Sequence, residues 1–281
     1  MLRTHSPVRA LTVADHDDVL AVCARDARAN VFVSARVLEG ALASAPGSVL
    51  GFADGGDLEA VCWASANVVP VGCGPEAVAA FAGKVRKWRR QCASLFGPAD
   101  MVLGMWHELA TSWGTPRAVR RHQPLMELSV APSAAGVAVD PRVRRARPDE
   151  VDLVVPAAAA MFTEEIGYPP YWGSGAAYRQ GVAGLITRGH TFVRVEDGQV
   201  VFKADVGSVG LGVAQIQGVW VAPAWRGQGL AAPAMAAVAE MVMAEIAPVA
   251  TLYVNDFNAP ARATYRGVGF TEVGSFATVL L

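Results

Sequence analysis

The chain has few cysteines and histidines, four and five respectively among its 281 residues. Cys23, Cys62, Cys73 and Cys92 all fall in the first third and form no Cys-x-x-Cys pair. Neither a disulfide framework nor a zinc site is expected from such spacing, and no metal is expected elsewhere; buried, reduced thiols in a cytoplasmic protein are the simpler expectation. Charge is scarce too, with 17% charged residues and a net charge of −1. That balance offers no global field to hold nucleic acid or an anionic membrane. Long unbroken apolar runs are missing as well. Met1 to Pro7 lacks the apolar core of a secretory leader. The run from Leu230 to Ala250 is interrupted by Glu240, Glu245 and Pro248, which argues against a membrane span.

Apolar residues are abundant, at 53%, and the length suffices for one large or two ordinary domains. In the first half, Asp15 to Arg25 and Asn30 to Ala43 read as helices, with Asp15 a candidate cap. Strands are expected at Val49–Phe52 and Ala60–Trp63, around the turn formers Asp54-Gly55-Gly56-Asp57, and again at Asn67–Val71. Phe81, Val85, Trp88 and Cys92 share one face of a predicted helix whose other face carries Lys84, Arg86, Lys87, Arg89 and Arg90. Such a basic run invites a nucleic-acid reading. With so little net charge, a solvated face with its tryptophan in the core explains it more simply. A strand at Ser94–Phe96 follows. Then comes a helix capped by Asp100, with Leu103, Trp106, Ala110 and Trp113 on one side, and a closing strand at Pro124–Leu128.

Ala131 to Gly136 has the small, proline-containing composition of a linker, so the domains are expected to divide near it. Beyond it, Arg142 to Arg147 alternates basic and apolar residues, as an edge strand would. A helix is expected from Asp152 to Glu165, a break at Tyr168-Pro169-Pro170-Tyr171-Trp172, and a second helix from about Gly175 to Arg188. Thr191–Val195 and Val200–Ala204 flank Asp197-Gly198, the signature of a hairpin. The next strand runs to Ala222 and ends at Pro223. A loop bearing Arg226, Gly227 and Gly229 then opens a long Ala/Met/Val helix. Glycines permit a tight turn with inward N–H groups, and a helix N-terminus adds partial positive charge, so this is a cradle for phosphate. A dinucleotide fingerprint over Gly227, Gly229 and Ala232 is the competing reading. It requires a βαβ unit and an acid closing the next parallel strand, whereas here a hairpin precedes and Glu240 and Glu245 fall within the helix.

Val219-Trp220-Val221-Ala222-Pro223 followed by Arg226-Gly227-Gln228-Gly229-Leu230-Ala231 resembles the acetyl-CoA signature of the GNAT superfamily of N-acyltransferases. Leu252 to Asn258 and Tyr265 to Phe270 follow at that family's spacing, and the resemblance runs from roughly Arg142 to Leu281. It implies an α/β (α+β) protein of two GNAT-like lobes, each a mixed, mainly antiparallel sheet flanked by helices. Residues 1–135 would form a degenerate lobe and residues 140–281 the N-acetyltransferase domain. The arrangement resembles tandem GNAT proteins with one active lobe, of the mycothiol synthase type, and actinobacterial members with an uncharacterised amino-terminal domain. In the first lobe, the equivalent of the phosphate loop is Val71-Gly72-Cys73-Gly74-Pro75. It lacks the arginine, and Pro75 lacks an N–H, so no acetyl-CoA is expected there.

The resemblance further implies roles. Backbone groups of Val219, Trp220 and Val221 orient pantetheine and thioester, and Arg226, Gly227, Gln228, Gly229, Leu230 and Ala231 hold the diphosphate. Asn255 and Asn258 reach the cofactor, Asn258 also capping the helix after it. Tyr265 protonates the departing thiolate; a phenol with its ordinary pKa of about 10 carries that proton at neutral pH. Many members place a glutamate on the strand before the loop as base. Here Gln215 and Gln217 occupy that strand, leaving Glu165, or Glu164 or Asp256, to act through water, or the amine to enter neutral. Tyr168 and Tyr171 would wall the acceptor site, or else pack between the lobes. The expected function is transfer of acetyl from acetyl-CoA to a primary amine, of a small molecule or a protein, within a ternary complex. No nucleic-acid or membrane partner is expected, and a homodimer is compatible with the sequence. The alternative is a non-catalytic acyl-CoA-binding regulator. Aminoacyl transfer from tRNA would need a basic groove that the charge balance does not suggest.

Overall fold

The computed structural model describes residues 7–281, so the stretch 1–6, most of the supposed leaderless start, lies outside the described residues. In chain order the elements are β1 (Val8–Ala10), α1 (His16–Ala24), α2 (Ala27–Leu38), α3 (Ala41–Ser44), β2 (Val49–Phe52), β3 (Ala60–Ala64) and β4 (Asn67–Val71). They continue with α4 (Pro75–Val85), β5 (Ser94–Pro98), α5 (Ala99–Trp113), β6 (Ala118–Leu128), β7 (Arg144–Arg145), α6 (Val151–Ile166) and α7 (Ala176–Thr187). The last are β8 (Thr191–Glu196), β9 (Gln199–Gly210), β10 (Val213–Val221), α8 (Ala231–Glu245), β11 (Val249–Tyr253), α9 (Ala259–Val268) and β12 (Thr271–Leu280). The chain is mixed α/β with mainly antiparallel pairing.

It forms two compact units that are not simply sequential. The first comprises Met1–Met126, Tyr253–Phe257 and Glu272–Leu281; the second comprises Glu127–Leu252 and Asn258–Thr271. A single break between 135 and 140 would have placed every later residue in the second lobe. Instead the C-terminal strand belongs to the first.

In the first unit the strands run β1-β2-β3-β4-β5-β12-β6. β4 and β5 are parallel and pair only through Asn67↔Ser94 and Val68↔Leu95. β12 lies antiparallel to β5, from Phe276↔Pro98 to Leu280↔Ser94. Phe81, Leu95, Val102, Met105 and Leu109 form the centre of its core with α4 and α5. Several expectations shift here. Asp15 precedes α1 but does not cap it; its carboxylate instead takes hydrogen bonds from Arg9 and from the backbone N–H and hydroxyl of Thr12. α4 stops at Val85 and a 3-10 turn carries Arg86–Gln91, with Trp88 half-buried against the core. Arg89 is not an open basic group, since it donates to the carbonyl of Trp113, whose indole donates to that of Arg86. In α5 Trp113 is buried as expected, but the other buried residues, Val102, Met105 and Leu109, each sit one position before Leu103, Trp106 and Ala110, and Asp100 sits in the first turn behind an N-cap of Pro98. All four cysteines are free and buried, and burial pushes the thiols of Cys23 and Cys73 up to about 12.

In the second unit β7, β8, β9 and β10 are antiparallel neighbours, and β11 joins β10 in parallel. The Asp197-Gly198 turn has both residues in the left-handed region, φ 48° and 73°, as a tight hairpin requires. Val151, Val154, Ala158, Val182 and Ile186 of α6 and α7 pack on Val193 and Val200 of the sheet. The β10–β11 pairing covers only Val213–Gln215 against Val249–Thr251. Beyond that the strands part, which leaves backbone groups of Ile216 to Val221 without a parallel partner. Among the described residues no helix is long and apolar enough to cross a membrane.

Candidate active site

Three features of the second unit carry the residues singled out in the sequence. The first is the loop. After a 3-10 turn at Pro223–Trp225, Arg226 is extended, and Gly227 and Gly229 lie at φ 72° and 75°. Only glycine takes such angles without strain, and a Cβ on either would meet nothing within 4 Å, so the turn borders open space. Leu230 is the N-cap of α8, whose first N–H groups have no intrahelical partner. Gln228 folds its amide back onto the carbonyl of Ala224 at 2.7 Å. The residues present suit a diphosphate: N–H donors at a helix start, two permissive glycines and an adjacent arginine.

The arginine is already engaged. Arg226 donates through Nε to the Val221 carbonyl at 2.9 Å and through Nη2 to Glu164 at 2.7 Å. Glu164 also accepts from the indole Nε1 of Trp220 at 3.1 Å. This carboxylate, near the end of α6, therefore ties the helix to both the loop and the strand.

The second feature is Tyr265, on α9. It is buried, at 7% exposure, with its ring edge-on to Phe270 at 6.0 Å. Burial, and secondarily the charge of Glu165, raises its pKa well above the ordinary phenol value. The last turn of α6 thus brings Glu165 within electrostatic reach of Tyr265, joining two residues far apart in sequence. Asn258 caps α9, accepting from the N–H of Ala261 at 3.2 Å. Asn255 lies in the first unit, where its amide oxygen accepts from Gln123, whose own oxygen accepts from Thr278.

The third feature is the aromatic segment after α6. Tyr168 packs edge-on against Phe162 at 5.8 Å, and Tyr171 leans on Tyr178 of α7 at 5.4 Å. Gly175, at φ 63°, has no room for a Cβ, which would lie 2.7 Å from the Tyr171 ring. Trp172 is 82% exposed.

A family model for the GNAT acetyltransferase family matches residues 159–270. Residues 159–270 are thus similar to that family. A second model, for a domain of unknown function named DUF4081, matches residues 47–154. No curated protein matches the chain. Among solved structures, a structural-genomics protein from Drosophila is similar at 15% identity and a TM-score of 0.67, covering 99% of both chains. A GCN5-related N-acetyltransferase from Sphaerobacter thermophilus is similar at 16% identity and 0.58, covering 97% of this chain and 94% of that one. A tandem GNAT protein from the clavulanic acid biosynthesis pathway is similar at 18% identity and 0.55, covering 96% and 97%. At such identities the likeness is one of fold, and it extends over the whole chain. That match supports acyl transfer as a class of chemistry for this stretch.

Sequence reasoning passed over one constellation in the GNAT domain. Lys203 and Asp205 on β9 are buried and paired, and the hydroxyl of Thr191 on β8 donates to Asp205 at 2.8 Å. The signal was present: a Lys-Ala-Asp triplet inside an otherwise apolar strand.

Proposed function

We propose that the GNAT domain moves an acetyl group from acetyl-CoA to a primary amine, of a small molecule or a protein, by direct transfer in a ternary complex. The observation that carries this reading is the electrostatic reach of Glu165 to a buried Tyr265 whose phenol is held protonated. In the proposed reaction the amine nitrogen attacks the thioester carbonyl, the carbon–sulfur bond breaks, and Tyr265 gives its proton to the departing sulfur. Glu165 takes the first proton that the ammonium must lose, directly or through water, and releases it to solvent; the second, shed by nitrogen once the carbon–nitrogen bond has formed, returns to the phenolate. The N–H groups of the Gly227–Ala231 turn would hold the diphosphate, and backbone groups of Val219 to Val221 the thioester. Asn258 would reach the cofactor, and Tyr168 and Tyr171 would wall the acceptor.

A second reading, a non-catalytic acyl-CoA-binding regulator, is favoured by Gln215 and Gln217 where an acid would serve as base. Incubation with acetyl-CoA and a panel of small amines and peptides, following free thiol, separates the two. Thiol release that is lost in Tyr265→Phe supports the enzyme. Calorimetric binding of coenzyme A with no turnover, and no effect of Tyr265→Phe, supports the regulator.

A further inference from the structure

The buried pair Lys203–Asp205 stands directly behind an irregularity in β10. Across the β9–β10 ladder Gln217 faces Asp205 and Trp220 faces Lys203, so Gly218 and Val219 have no partner on β9. This is a bulge, which takes backbone groups out of the ladder and bends the strand. Gly218 lies at φ 60°, and a Cβ there would come within 3.0 Å of Asp205 Oδ2 and 3.2 Å of both Lys203 Nζ and Met161 Cε. Lys203 Nζ is 3.4 Å from the Gly218 carbonyl oxygen that the bulge frees. Asp205 holds the ammonium on one oxygen and the Thr191 hydroxyl on the other.

Stability does not account for this arrangement. Removing two charges from water is costly, and a buried pair is often replaced by apolar side chains of similar volume with no loss. A part-buried carbonyl displaced from its ladder, however, gains from a donor close by. At 1% exposure, Lys203 is the donor nearest to hand. The far side of the same bulge is Val219 to Val221.

We propose that Lys203, aligned by Asp205 and Thr191, is a positioning residue that fixes the Gly218 bulge and thereby the backbone that receives the thioester. The inference rests on the acyltransferase reading above. Lys203 touches neither the thiol nor the amine; it acts through one carbonyl. The phenol of Tyr178 on α7 is pushed up to about 12, by burial first and by the charge of Asp205 second.

The test is the double variant Lys203→Met/Asp205→Leu, which leaves no buried charge unpaired, examined in the full chain. Amide hydrogen exchange at Val219 and Trp220 in the ligand-free protein is expected to accelerate about tenfold or more as the bulge loosens. With acetyl-CoA and an accepted amine, kcat is expected to fall about a hundredfold, the scale of a misplaced reactant, with coenzyme A affinity within a few-fold of the parent. Should the double variant fail to fold, Thr191→Val removes only the hydroxyl that orients Asp205 and is expected to move exchange and kcat in the same directions, less far. Unchanged exchange overturns the proposal, whatever happens to turnover. Faster exchange with undiminished kcat overturns it too, leaving the pair a structural brace. A parent protein that neither binds coenzyme A nor releases thiol overturns the acyltransferase reading and, with it, the thioester part of this inference; exchange then decides the bulge alone.

Discussion

A single hydroxyl carries the chemistry proposed for Tyr265, so its removal is the sharpest test at the scale of the residue. Tyr265→Phe keeps the ring on Phe270 and is expected to lower kcat by about a hundredfold to ten-thousandfold, with little change in KM or thermal midpoint. Steady-state kinetics with free-thiol detection reads it. Glu164 presents the opposite case. Its carboxylate holds the arginine beside the phosphate loop, in an ion pair about half exposed on both sides. A diphosphate must compete with that carboxylate. Glu164→Ala is therefore expected to tighten coenzyme A binding, by up to about fivefold given the small worth of exposed pairs, as calorimetry would measure. The sequence could supply Arg226 and its glycines as a set. It could not say that the arginine would be tied down by a residue on another helix, because that contact depends on how α6 lies across the sheet.

Among the elements, α9 was fully legible. Asn258 before Ala259-Pro260 is a cap with a proline in the first turn, and Gly269, at φ 110°, ends the helix. Asn258→Ala is expected to cost about 1 kcal/mol in a denaturant titration of the folded protein. The Asp197-Gly198 hairpin and the loop into α8 were legible for the same reason: turn chemistry is local. α5 was not. Its tryptophans suggested a face through Trp106, yet Trp106 and Leu103 are only partly buried while Val102 and Met105 are fully enclosed. A large amphipathic ring can cover the edge of a core from a boundary position, so size misleads about phase. The bulge in β10 escaped because Gln217-Gly218-Val219 reads as ordinary strand, and only the left-handed Gly218 over Lys203 and Asp205 reveals it. Gly218→Ala is accordingly expected to be more damaging than Gly227→Ala where a Cβ meets open space: the first should lower the thermal midpoint clearly, the second mainly weaken coenzyme A binding.

For the molecule as a whole, each unit carries a carboxylate set for acid sensitivity. Hydrogen bonds from Arg9 hold Asp15 down to about 2, and hydrogen bonds from Arg144 hold Glu150 down to about 2. Both folded values lie below the ordinary carboxylate values of 3.8 and 4.5. Their stabilisation is therefore complete above those ordinary values and drains away as pH falls towards 2. Thermal midpoints are expected to hold from pH 7 to about 5 and then to decline, and Glu150→Gln should start lower at pH 7 but decline less. The division into units was legible only in part. Composition pointed to a linker at Ala131 to Gly136, but nothing local announces that Phe276 to Leu280 will pair with β5. Such long-range pairing is set by which edge is left open, not by the strand's own pattern.

That pairing bears on how the protein is made. β5 and β6 flank a slot that only β12 fills, and β12 is translated long after both. While the ribosome is still reading the GNAT domain, the nascent first unit holds two strand edges with hydrogen-bonding groups exposed. It is then a template for stray strands, and a chaperone's natural client, until the closing strand is threaded home.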